Sequence, residues 1–543
     1  MRTPRALFPL LALIPLAVAC SSQSHAGGED DPITSITARS RTLKFQGAVF
    51  VDENASDDDI LYTVRKQTQS AFGALRTADV GVNSRELKDV DPTTFVKTKV
   101  TVIDTSKDAD PGTTMLRVTY TYTDNALVPA TRMDRSTMSL GLLGAGYAAQ
   151  NQRILKECTD NDSGAREFLD SIWYVFNPSL DSCRQAISAE QQQIDGERAK
   201  LPAPQGDEQP KFTLAETKRL YIPMTAALEG DNTNSGKSYP EYDRLYAGGV
   251  QPGKLVIGMV SGMMADWAAG EHHDTIEDEG YGMWFAGLNA ILAARPELAF
   301  VKTEPAEDIG TYDLAGDVHV TGVTFSDILN WESGTGEFPE AVRGDEDKQH
   351  ALRVAVGNKL AKHWVTFEAP MTVTIGGEAK DLTIVLQTYF GAETDGAPHR
   401  RGIKTSDVFV YNGHSYIGYG PLDPSRFHQG DFPDSYQLLA INGCVSYNYY
   451  EKDYFPLKTG GTKNMELITN GLESWVNESG PAMGRLVGAL IDGKLNSYTD
   501  ILAAAQFTGH GYAWGKDALR VVDGELDNVY SPDKTPITLA PRP

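Results

Sequence analysis

Two short apolar runs, each closed by Asn-Gly and then a chemically reactive residue, constrain this chain more than any other feature. Residues 407–415 read Asp-Val-Phe-Val-Tyr-Asn-Gly-His-Ser, and residues 436–445 read Tyr-Gln-Leu-Leu-Ala-Ile-Asn-Gly-Cys-Val. Apolar runs of this length, bounded by turn residues, read as buried strands over 408–411 and 438–441. Continuous apolarity, with no alternating polar face, predicts parallel strands covered on both sides. The intervening stretch is long enough for the crossover of about a dozen residues that parallel neighbours need. Each Gly permits a sharp turn at a strand's carboxyl end, where open α/β sheets carry their active sites. His414 and Cys444 then stand side by side on neighbouring strand tips. A thiol beside an imidazole is the minimum equipment for nucleophilic catalysis.

The cysteine inventory points the same way. The chain has 4 cysteines, Cys20, Cys158, Cys183 and Cys444. Residues 1–20 read as a processing segment, with Arg2 and Arg5 ahead of an apolar stretch over 7–18 too short to span a bilayer. Its end, Leu16-Ala17-Val18-Ala19-Cys20, resembles a bacterial lipobox, which implies a lipid on Cys20; a plain secretory signal cut near Ala19 is the alternative. Ser21-Ser22, rather than Asp, follows the cysteine, so the expectation is a cell-envelope protein anchored in the outer membrane. Polar residues 21–40 then form a tether. In an oxidising compartment Cys158 and Cys183 are close enough in sequence to bridge, which leaves Cys444 as the odd thiol, a flag for reactivity.

A strand ending in His followed by a strand ending in Cys resembles the caspase-like cysteine peptidases of clan CD, which include caspases, legumains, clostripains and gingipains. The resemblance covers roughly residues 382–490. It places the family's catalytic histidine on His414 and its nucleophile on Cys444. It also implies an oxyanion site built from the N–H of Cys444 and an N–H within Gly413–Ser415, although many members carry Gly where Ser415 stands. The implied activity is cysteine endopeptidase action on protein or peptide substrates, with no cofactor. The competing reading is a non-catalytic surface lipoprotein that uses a caspase-like fold as a binding module.

The rest of the chain supplies a frame. With 543 residues and 41% apolar content it suits two or three domains, here an N-terminal α+β domain over 41–245 and a C-terminal α/β domain over 254–543. The expected C-terminal sheet is mostly parallel and flanked by helices, because strands and helices alternate from Lys254 onward. A net charge of −24 repels nucleic acid and anionic lipid, so membrane contact is expected through the N-terminal lipid alone. In the N-terminal block, Ser56-Asp57-Asp58-Asp59 marks a helix start, and 95–103 with 115–122 read as a hairpin. Residues 153–199 read as mostly helical, with Phe168, Leu169, Ile172, Trp173 and Phe176 as a core stripe and no recognisable chemistry. One rival cluster, Glu271-His272-His273-Asp274 followed by Glu277, Asp278 and Glu279, offers metal ligands for a hydrolase. It lacks HExxH spacing and reads as a solvated loop, so no metal is expected.

Overall fold

The computed structural model describes residues 39–542 except 161–162, 203–207, 233–235, 265–273, 451, 510–511 and 523–525. Cys20, His272 and His273 therefore lie outside the described residues, and so does Glu271. Among the described residues no helix is long and apolar enough to cross a membrane.

The first sheet comprises β1 (Ser40–Asp52), β2 (Gly81–Val82), β3 (Val96–Ile103), β4 (Thr113–Leu127), β5 (Thr137–Leu143), β6 (Lys211–Thr213) and β7 (Tyr221–Glu229). Its order is β5-β7-β1-β4-β3-β6, with β2 on β4. The expected hairpin is the antiparallel β3–β4 pair. Period-two alternation buries Val118, Tyr120 and Tyr122 of β4, the same core that receives Ile60 and Val64 of the helix Asp57–Gln69. That helix starts at Ser56, whose hydroxyl and the Asp59 carboxylate form a reciprocal capping box. Residues 153–199 are more broken than their periodicity predicts. Helices Asn151–Glu157 and Asp181–Arg198 are separated by the short helices Ser163–Phe168 and Ile172–Val175 and by an Asn177-Pro178 turn, where the Ser179 N–H donates to Asn177.

The second sheet holds β8 (Lys254–Met263), β9 (Ala299–Glu304), β12 (Trp364–Ile375), β13 (Glu378–Ala392), β14 (Val408–Asn412), β15 (Gln437–Asn442), β16 (Met465–Asn470), β19 (Leu519–Val522) and β20 (Ile537–Pro541). Two small hairpins stand apart, β10 (Thr311–Leu314) with β11 (Val318–Thr321) and β17 (Thr508–Gly509) with β18 (Tyr512–Ala513). The order is β19-β16-β15-β14-β8-β13-β12-β20, with β9 also on β12. Strands β13, β8, β14, β15 and β16 run parallel, as expected for the centre. The flanking β12, β9, β20 and β19 join antiparallel, so the sheet is parallel only in its middle.

The continuous apolarity of β14 and β15 now has a physical cause. Val408, Val410, Leu438 and Ala440 face one core, shared with helices Glu279–Ala294 and Val476–Ile491. Phe409, Tyr411, Leu439 and Ile441 face a second core shared with the first sheet's residues, including Phe72, Tyr120 and Trp173. The covering layer on that side therefore comes from the N-terminal part of the chain.

Candidate functional site

The two Asn-Gly turns meet because β14 and β15 pair in register, Asn412 opposite Asn442. The Asn442 side-chain amide donates to Asn412 Oδ1 at 2.7 Å, and the Gly413 N–H donates to the Asn442 carbonyl at 3.1 Å. His414 and Cys444 each follow their paired Asn by two residues. Both are half-buried and both line one cavity of about 420 Å³. Cys444 is a free thiol, and Cys158–Cys183 forms a disulfide. The Cys444 Sγ lies 3.6 Å from Ser474 Oγ and 3.8 Å from the Ser474 carbonyl.

The backbone around both residues is held tightly. The His414 N–H donates to Glu393 Oε1 at 2.9 Å, its carbonyl accepts the Tyr411 hydroxyl at 2.8 Å, and the Ser415 carbonyl accepts the Tyr450 hydroxyl at 2.6 Å. Val445, directly after the thiol, has φ 49°, and Ile417 has φ 52°. A β-branched residue pays to sit in this left-handed region, and such positions persist where the surroundings fix them, often at functional sites. Here the fixing is visible: the Val445 N–H donates to the Leu472 carbonyl. Three residues on, Asn448 donates to the Val82 and Ser84 carbonyls and accepts the Glu86 N–H. The turn that carries Cys444 is thus clamped by the chain around β2.

Among the amides of Gly413, Ser415 and Cys444, that of Gly413 already donates to the Asn442 carbonyl. The Ser415 and Cys444 amides have no acceptor among the described residues.

Burial lowers the His414 imidazole to about 4, against a weaker opposing pull from the Asp278 carboxylate. The ring is therefore neutral at pH 7. Glu393 moves the other way. Burial raises its carboxyl to about 7, helped by Asp278 and opposed by hydrogen bonds from the His414 N–H, Tyr416 and Tyr411. Its side chain fills the space beside Gly262 and Gly413, where a Cβ on either would collide with it. An unfolded glutamate ionises near 4.5, so folding is penalised increasingly from pH ~4.5 to about 7 and not below. Glu393→Gln should remove that penalty and gain stability over the wild type across this window, on the order of 3 kcal/mol at its upper end. Urea midpoints of both proteins at several pH values test this, and a pH-independent difference would sink it.

Sequence reasoning missed most of the cavity wall. Arg76, Asp160, Phe168 and Tyr174 reach it from the N-terminal part, and Glu473 and Trp475 from the segment after β16. Arg76 forms an ion pair with Glu473, and its guanidinium stacks 5.0 Å from the Tyr174 ring centroid. Phe168, assigned to a core stripe, is half-buried and lines this cavity, whereas Ile172, Trp173 and Phe176 are buried as expected. Glu393 carried a usable signal, an acidic residue directly after a buried apolar strand that runs parallel to those of His414 and Cys444. Within the rival metal cluster, Asp274 and Glu277 converge with His350, all three exposed. No protein-family model, curated protein or solved structure matches this chain, so its site is read from its own geometry.

Proposed function

We propose that this chain is an exported, lipid-anchored cysteine endopeptidase with a caspase-like catalytic domain. The observation that carries the reading is the opening of the His414 and Cys444 side chains into one cavity from adjacent parallel strand tips. The strand order supports it, with the two residues on consecutive strands of a parallel centre closed by an antiparallel edge strand. The anchor rests on the lipobox-like end of residues 1–20.

Neutral His414 takes the Cys444 proton as the sulfur attacks a peptide carbonyl carbon. The carbonyl oxygen gains the negative charge and turns toward the Ser415 and Cys444 amides. Collapse breaks the C–N bond, and the imidazolium returns its proton to the departing amine. The thioester left on Cys444 is then hydrolysed by water with His414 again as base. Glu393 acts as a positioning residue, since it holds the His414 main chain rather than the ring.

A peptidyl acyloxymethyl ketone, which alkylates activated thiols, tests the reading. Peptide mapping by mass spectrometry should place the adduct on Cys444, and the label should disappear in His414→Ala. Slow labelling that ignores His414 would leave a binding module, not a peptidase.

A further inference from the structure

We propose that a second cavity, in the N-terminal part of the chain, binds a small carboxylate with an apolar body. The cavity measures about 590 Å³ and lies among β1, β4, the helix Asp181–Arg198 and the segment around Gly144. That volume suits a ligand from a single acylated amino acid to a short peptide. Its apolar surface comes from Val49, Ile194, Leu220 and Ile222.

One polar group in the wall lacks a partner. Gln67 is only 2% exposed and lines this cavity. Its Oε1 accepts the Tyr120 hydroxyl at 2.9 Å, and its amide nitrogen has no acceptor among the described residues. A donor on a cavity wall with no protein acceptor is open to solvent or to a ligand oxygen. An acceptor oxygen on a bound ligand would satisfy it.

The charges around the cavity specify which oxygen. Arg117, Arg198, Lys218 and Arg219 line it against Asp195 and Glu216. Both acids are already engaged: Glu216 pairs with Arg198 and caps Thr213, and Asp195 accepts the Gln191 amide. Arg117 and Lys218 have no carboxylate partner among the described residues. In a chain of net charge −24 this local surplus of cations is against the general trend. Arg117 and Arg198 also lie over the Phe212 ring, 5.6 and 5.7 Å from its centroid. A guanidinium held over a ring face can still offer two parallel bonds to a carboxylate. One amide donor, one guanidinium fork and apolar walls together suit a monocarboxylate better than a bare phosphate.

The probe is hippurate, titrated calorimetrically into the full chain, with neutral hippuramide and inorganic phosphate as comparisons. Hippurate should bind with a dissociation constant of ~10 mM or below. Arg117→Gln and Lys218→Gln should each weaken it, Arg117→Gln by about tenfold or more, and hippuramide should bind at least about tenfold less tightly. Alkylating Cys444 beforehand should leave the titration unchanged. The proposal is overturned by absence of binding, by equal binding of hippuramide or phosphate, by indifference to both substitutions, or by loss of binding on Cys444 alkylation, which would put the ligand in the other cavity.

Discussion

Cys444→Ser should abolish measurable peptide-bond hydrolysis, and His414→Ala should lower kcat/KM by about 10²–10⁴-fold, the usual contribution of a positioned general base. The pH profile separates this from a merely structural role. To accept the thiol proton the imidazole must be neutral, and burial holds His414 at about 4 rather than at 6.5. The acid limb of kcat/KM in the wild-type protein is therefore expected near pH 4. A limb near pH 6.5 would mean a solvated ring, and an undiminished His414→Ala variant would remove the histidine from the mechanism. Because the ring is neutral before substrate arrives, the proton should pass from sulfur to nitrogen during attack, not in the resting protein.

Replacing both Cys158 and Cys183 by Ser should cost about 3.5 kcal/mol of stability, from the chain entropy regained by a loop closed over a separation of 25 residues. Both cysteines are fully buried, so the packing around them changes little with the smaller hydroxyls except for two new polar groups. The loop matters beyond stability, because Asp160, Phe168 and Tyr174 of the cavity wall all lie within it. Urea denaturation gives the stability, and probe labelling of Cys444 gives the state of the wall. Strong reductant, normally added to protect a catalytic thiol, should lower labelling in the wild type and have no such effect in the double variant. A stability loss below ~1 kcal/mol would show that Trp173 and Phe176 hold the loop without the bridge.

Local signals in the sequence were read well wherever the cause was local. The Ser56 capping box, the helix Glu279–Ala294 and the pairing of β14 with β15 follow from caps, periodicity and apolar run length. Cysteine arithmetic left Cys444 unpaired, and it is. What periodicity cannot report is which distant surface covers a face. β14 and β15 showed that both faces were buried, but not that Phe72 and Trp173 cover one of them. The same limit hid Arg76 and Tyr174 in the cavity wall, since their role exists only once separate chain segments meet. The role of Asp278 was hidden for a different reason. It acts on the His414 ring through charge, across a contact that a sequence does not display.

The clamp on the Cys444 turn has a consequence in time. Asn448 and its three partners at residues 82, 84 and 86 are separated by 362 to 366 positions of chain. Contacts so far apart form late, because a large loop must close before they return any enthalpy. Until they form, the turn that carries Cys444 lacks the partners that hold Val445 in its left-handed conformation. Under the peptidase reading proposed above, Cys444 takes its working shape only once chain segments 362 to 366 positions apart have met.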